Sequence, residues 1–311
     1  MQEQRGAVIY LTFSGDKFNN TRNWLDDVTL LQHLNAELSI NSGQEFLWGQ
    51  IGDAWYGIHG GSIIRFKAGE PLKLESFPQG VSAQEVFRLG DDIGAIFEEI
   101  SRDSLVKGLL GRYPGLRLMR QDPEQCLFSF LCASNTNIPM IRRMLHSLCK
   151  RFGSPVEIDG HRFYTFPSAG ALDRASEADL GASGLGYRVK AMKAAAREMA
   201  RGRLDLESLK KASYDEARAR LLEVYGVGPK IADCVLLFSL EKLEAFPIDV
   251  WIARALAGHY EWLYGKKMSD KLTARQYEDL SNEIRHYFGR HAGYAQQYLY
   301  YHMRQAAGKR W

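Results

Sequence analysis

Gly226-Val227-Gly228-Pro229-Lys230-Ile231-Ala232-Asp233-Cys234, with Asp249 nineteen residues beyond the lysine, is the stretch on which the reading of this chain turns. Glycines at 226 and 228, with Val227 between them, permit positive φ and expose N–H groups with no Cβ in the way, which predicts a tight turn able to clasp a phosphate oxygen. Pro229 suits the first turn of a helix, where its missing donor costs nothing. From Lys230 to Leu240 the apolar run Ile231, Val235, Leu236, Phe238 and Leu240 predicts a largely buried helix. Lys230 and Cys234, four apart, share one face of it.

A helix over residues 230–240 runs roughly 16 Å, and the eight residues that follow can span up to roughly 26 Å, so the chain is able to return Asp249 to the side of Lys230. An amine nucleophile and a carboxylate that holds developing positive charge are what substitution at a sugar C1′ requires. Each residue also has a plain structural reading. Gly-x-Gly is a common turn, Lys230 would serve as a phosphate contact, and Asp249 stands where an N-cap would precede Val250 to Leu256.

The passage Leu221 to Ala255 resembles the helix-hairpin-helix, Gly/Pro…Asp superfamily of DNA glycosylases, and Lys230 resembles the lysine of its bifunctional members. More narrowly, the chain is similar to 8-oxoguanine DNA glycosylases that carry an N-terminal β domain. The likeness runs through Ser42-Gly43-Gln44-Glu45-Phe46-Leu47-Trp48, Ser134-Asn135-Thr136-Asn137-Ile138, Gly184-Leu185-Gly186-Tyr187-Arg188, the hairpin block and Gly293-Tyr294-Ala295-Gln296. It implies an α+β fold, an N-terminal antiparallel β-sheet domain with a closing helix over 1–118 and a mainly α-helical catalytic domain over 119–311, with the hairpin near 221–240.

The resemblance also implies roles. Lys230 attacks C1′ and Asp249 assists it, after which β-elimination nicks the strand. Gln296 binds the Watson–Crick edge of the lesion, Cys234 and Tyr300 sandwich the purine, and the Gly43 carbonyl accepts the N7 hydrogen that 8-oxoguanine has and guanine lacks. Asn135 fills the space the extruded nucleotide leaves, Tyr187 and Arg188 wedge beside and bind the opposite cytosine, and Gly226, Val227 and Gly228 hold a phosphate. Read without the resemblance, Asn135-Thr136-Asn137 fits helix capping, Tyr187-Arg188 fits packing on a helix end, and Gln296 and Tyr300, four apart, fit a core aromatic beside a surface amide. Two positions depart from the family: Met140 where an arginine commonly reads the opposite cytosine, and Trp251 where a histidine often contacts phosphate.

With 311 residues, 45% of them hydrophobic, the chain can bury a full core. Its net charge of +3 alone points to no partner, but residues 1–118 carry 11 Lys+Arg against 15 Asp+Glu, and residues 119–311 carry 29 against 22. The DNA-facing surface is therefore expected in the second half. No stretch is apolar enough to cross a membrane and Met1 to Ile9 lack a signal-peptide pattern, so a cytoplasmic or nucleoid location is expected. Cys126, Cys132, Cys149 and Cys234 read as buried free thiols of a reducing compartment. No cysteine follows 234, so no iron–sulfur cluster is expected; the chemistry needs no metal, although the hairpin carbonyls would suit a structural cation. The family implies a monomer acting on double-stranded DNA.

Short β-prone runs at Val8 to Phe13, Glu45 to Gln50, Ala54 to Ile58, Ile63 to Lys67 and Leu72 to Phe77 predict an antiparallel sheet, and Ala83 to Arg102 an amphipathic helix closing it. From Asp122-Pro123, an N-cap and first-turn pair, the rest reads as almost entirely helical. Two other functions stay open: excision of an alkylated or different oxidised base on the same fold, and DNA binding without chemistry, which gives no reason for Lys230 and Asp249 together.

Overall fold

The computed structural model describes residues 34–67, 73–264 and 272–308, so the run Val8 to Phe13 lies outside the described residues. Four strands, β1 (Trp48–Ile51), β2 (Ala54–His59), β3 (Ser62–Lys67) and β4 (Leu74–Phe77), form an antiparallel meander in the order β1-β2-β3-β4. Gly60 and Gly61 make the β2–β3 turn, with Ile58 opposite Ile63 and Ile64 opposite Ser76 in the register. Side chains alternate across the sheet. Trp48, Trp55, Ile64 and Phe66 face a small cluster with Ile40, Val86, Phe87 and Met119, while Tyr56, Ile58 and Ile63 join a large core that extends through the helices to Tyr301. Covered on both sides, β2 reads as a nearly continuous apolar run.

Three features differ from the sequence expectation. Ala83 to Arg102 is not one helix. Its first part stops at Val86, Arg88 takes φ +50°, and a new helix, Ile93–Ile100, starts where Asp92 accepts from the Ala95 N–H at 3.0 Å. The break serves a distant partner: the Arg88 guanidinium, 1% exposed, bonds Glu241 at 2.7 Å just past the end of the hairpin helix. Burial works against charge on Glu241, but bonds from Arg120 and Arg88 outweigh it and hold its carboxyl down at about 2. Second, the half expected to be almost entirely helical contains a β-hairpin, Pro155–Ile158 with His161–Tyr164, whose Phe163 stacks on Tyr56 of the first sheet at 4.9 Å. Third, the block Glu45 to Leu47 precedes β1 as irregular chain rather than strand.

Elsewhere the local rules hold. Asp122 caps the helix Pro123–Cys132, with proline in its first turn. Gln125 of that helix stitches it to the sheet, accepting from the Gly60 N–H and donating to the Ile58 carbonyl, both at 2.8 Å. The helix Tyr214–Leu222 opens with a Ser213/Glu216 capping box, the hairpin helix Pro229–Ser239 follows it, and Ala292–Ala306 closes the described chain. Residues 231–239 of the hairpin helix are all buried.

Candidate active site

A cleft of about 810 Å³ collects residues from six segments that are far apart in sequence, among them Gly43, Asn135, Lys230, Asp249, Gln296 and Tyr300. Gly226, Gly228 and Cys234 line it as well. Tyr187, Arg188 and Val227 do not: Val227 is buried in the core, and the other two stand beside the cleft.

The hairpin brings Lys230 to the cleft. Gly226 takes φ +89°, and a Cβ there would lie 2.4 Å from the Cβ of Ala191, so both conformation and space require glycine. Gly228 differs from expectation. It is an extended N-cap with φ −94°, and a Cβ would meet nothing within 4 Å. The Lys230 ammonium lies 4.9 Å from the centre of the Phe130 ring. One turn on, burial pushes the Cys234 thiol up to about 12, against the pull of Lys230, so it packs as a neutral apolar group.

Asp249 performs the structural role and faces the cleft at once. Its Oδ1 accepts from the N–H groups of Trp251 and Ile252, both at 2.9 Å, capping the helix Val250–His259. Burial raises its carboxyl above the ordinary value, while the Lys230 charge and those two N–H groups pull it down. Trp251, also in the cleft wall, carries the Arg254 guanidinium 5.2 Å and the Arg304 guanidinium 5.8 Å from its ring centre. Arg304 was not foreseen. It sits four and eight residues beyond Tyr300 and Gln296, a spacing on one helix face that would have pointed to it. Phe130 comes from a separate helix and left no such signal.

The base-binding candidates are positioned from behind. Gln296, 5% exposed, donates through Nε2 to the Pro247 carbonyl at 3.0 Å, and its Oε1 has no hydrogen-bond partner among the described residues. A buried amide oxygen with no partner, on a residue that lines the cleft, is an acceptor for a donor brought against it. Gly43, at φ +82°, is fixed on both sides: Gln297 bonds Ser42, and Gln44 accepts from the Met119 N–H at 2.7 Å and donates to the Arg117 carbonyl at 2.8 Å. Tyr300 is half-buried, with the Arg304 guanidinium 5.9 Å from its ring.

At the rim, Asn135 is exposed and takes φ +47°, and it is Asn137, not Asn135, that caps the helix Ile138–Phe152. Capping therefore accounts for Asn137 and leaves Asn135 without that structural reason for its strained backbone. The Tyr187 hydroxyl and the Arg188 guanidinium both donate to the Ser134 carbonyl, and the two side chains stack at 4.5 Å. They hold the Asn135 loop from outside. Tyr187 is 66% exposed and Met140 39% exposed. The four cysteines are buried free thiols, and among the described residues no group of three or more His, Cys, Asp or Glu is placed to hold a metal ion. Nor is any described helix long and apolar enough to cross a membrane.

Residues 29–127 match the family model described as 8-oxoguanine DNA glycosylase, N-terminal domain. The chain is 32% identical over 284 residues to an Arabidopsis thaliana protein named N-glycosylase/DNA lyase OGG1, covering 86% of this chain and 76% of that one. Its structure is similar to that of MBOgg1 in complex with a low-affinity DNA ligand, with a TM-score of 0.77 and 31% identity over 88% of this chain and 93% of the other. It is also similar to the Clostridium acetobutylicum 8-oxoguanine glycosylase/lyase in complex with double-stranded DNA containing cytosine opposite 8-oxoguanine, with a TM-score of 0.75 and 30% identity over 86% and 90% of the two chains.

Proposed function

The chain belongs to the 8-oxoguanine DNA N-glycosylase/DNA lyase family, and from that premise we propose how its own residues carry out the excision. It is a DNA repair enzyme that releases 8-oxoguanine from duplex DNA and then cleaves the strand at the resulting site. The observation that carries the residue roles is the meeting of Lys230, Asp249 and the unpartnered Gln296 oxygen in one cleft.

The lesion nucleotide leaves the stack and enters the cleft, at a cost of a few kcal/mol in lost stacking. Asn135, displayed on its left-handed loop and braced by Tyr187 and Arg188, occupies the vacated position. Gln296 Oε1 accepts from the Watson–Crick edge, Cys234 and Tyr300 bracket the ring, and the Gly43 carbonyl accepts the N7 hydrogen. Guanine has no hydrogen there, so one fixed acceptor separates damaged from undamaged base.

The Lys230 amine then forms a bond to C1′ as the C1′–N9 bond breaks and the base departs with the electron pair. Asp249 stabilises the positive charge that grows on the sugar, in a setting where burial strengthens its field. The C1′–O4′ bond then breaks, the ring oxygen taking up a proton given up by the amine, and the ring-opened sugar is left as a Schiff base on Lys230. Removal of the C2′ proton then sends an electron pair toward the C2′–C3′ bond, and the 3′ phosphate leaves, nicking the strand.

Gly228, open to the outside, and Gly226 present the hairpin to a backbone phosphate, and the hairpin carbonyls suit a structural cation. Met140 in the arginine position leaves the opposite base less strictly read. Domains divided near residue 118, a monomeric state and an intracellular, nucleoid setting complete the proposal; the setting is supported by four free thiols and a DNA substrate.

The test is a duplex with one 8-oxoguanine opposite cytosine. The wild type releases the base and nicks the strand, Lys230→Gln does neither, and undamaged guanine in the same position is left intact. Base release by Lys230→Gln at the wild-type rate would remove the lysine from the mechanism.

A further inference from the structure

Lys230 and Asp249 come from different segments, and one chain of hydrogen bonds ties those segments together. Asp233 lies one turn after Lys230 on the hairpin helix and is wholly buried. Its Oδ1 accepts from the Tyr214 hydroxyl at 2.7 Å and from Arg218 Nε at 3.0 Å, and its Oδ2 accepts from the Tyr277 hydroxyl at 2.7 Å. The Tyr277 oxygen in turn accepts from the Ile248 N–H at 3.1 Å. That N–H and the Pro247 carbonyl belong to the same peptide unit, and the carbonyl is the group that Gln296 Nε2 bonds at 3.0 Å. The Pro247–Ile248 peptide, one residue before Asp249, is thus gripped at both ends. One grip leads to the helix of the nucleophile, the other to the Gln296 amide, which lines the cleft.

We propose that Tyr277 is a positioning residue that fastens the Pro247–Ile248 peptide to the Lys230 helix, so that Asp249 keeps its place beside the amine while Gln296 ties the same peptide to the base pocket. The proposal rests on the roles assigned above to Lys230 and Asp249. Tyr277 borders the cleft, but its hydroxyl is engaged by two protein groups and has no need of substrate. Tyr214 is an internal control. Its hydroxyl meets the same carboxylate at the same 2.7 Å and is also buried, yet it makes no bond to residue 248. A role confined to satisfying Asp233 would be shared by both tyrosines, with Arg218 a second donor to the oxygen that Tyr214 bonds.

Tyr277→Phe and Tyr214→Phe each delete one hydroxyl from one carboxylate. Under single-turnover conditions with 8-oxoguanine duplex, Tyr277→Phe slows base release about tenfold or more, as expected when a catalytic group drifts by a fraction of an ångström, with DNA affinity unchanged. Tyr214→Phe stays within about threefold of wild type, because it loses only a bond to Asp233 and leaves the Ile248 N–H bond in place. Equal rates for the two variants overturn the proposal. Hydrogen exchange at the Ile248 amide of the wild type provides a second measurement should Tyr277→Phe not fold: strong protection is expected, and exchange at open-loop rates overturns it. If wild-type base release depends on neither Lys230 nor Asp249, the proposal falls together with the reading beneath it. If that dependence holds and the two phenylalanine variants match, the proposal falls alone.

Discussion

Replacing Asp249 by asparagine separates its two duties. Asparagine caps helices about as well as aspartate, so the bonds from Trp251 and Ile252 N–H, both 2.9 Å, can be kept while the charge is lost. The catalytic loss is that of one preorganised electrostatic group, about 10²–10³-fold in base release. Stability moves the other way. Burial raises the Asp249 carboxyl above its unfolded value, so the folded state binds more protons than the unfolded state between those two values. Stability contributed by this residue therefore falls as pH rises through that window and stays low above it. At neutral pH Asp249→Asn is expected to melt at or above the wild-type temperature, with the advantage vanishing below the unfolded carboxylate pKa. Asp249→Ala loses the cap as well, about 1 kcal/mol, which places it about 2 °C below Asp249→Asn in a chain of this size. Calorimetry at two pH values and single-turnover excision read both effects. An Asp249→Asn protein that keeps wild-type activity, or that melts well below wild type at pH 7, would refute the reasoning.

Other substitutions probe separate parts of the site. Gly226→Ala puts a methyl into positive φ and against Ala191, and should destabilise by about 2–4 kcal/mol from combined strain and overpacking, measurable by urea unfolding. Met140→Arg, at a position 39% exposed, should increase the preference for cytosine over adenine opposite the lesion, read from paired excision rates on the two duplexes. Arg188→Ala removes one of the two donors to the Ser134 carbonyl and loosens the Asn135 loop, and should weaken binding to lesion duplex more than binding to a single strand, seen by fluorescence anisotropy. Cys234, 3% exposed and with its thiol near 12, should resist iodoacetamide at pH 8 in the folded protein and react once it is unfolded, as mass spectrometry would report.

What the sequence disclosed and what it withheld divide along the range of the interactions. The hairpin turn, Pro229 at the helix start, and Asp122 and Asp249 as caps depend on neighbours within a few residues, where glycine, proline and capping chemistry act. The break after Val86 depends on Arg88 reaching Glu241, which is 153 positions away, and no local period records it. Gly226 and Gly228 both permit positive φ, but only Gly226 adopts it; sequence spacing does not say which of two glycines turns the chain. The cleft itself was legible because its residues sit in short blocks of distinct chemistry. Tyr277 was not, since a tyrosine in an amphipathic helix shows nothing of the Ile248 N–H it will meet.

The central claim is that the Lys230 amine becomes covalently joined to the sugar of the lesion nucleotide. Borohydride added during turnover on an 8-oxoguanine duplex, followed by proteolysis and mass spectrometry, tests it most directly. The expected result is a reduced crosslink on the peptide containing Lys230, absent from Lys230→Gln. A crosslink mapped to another amine, or base release with no crosslink at all, would contradict the account.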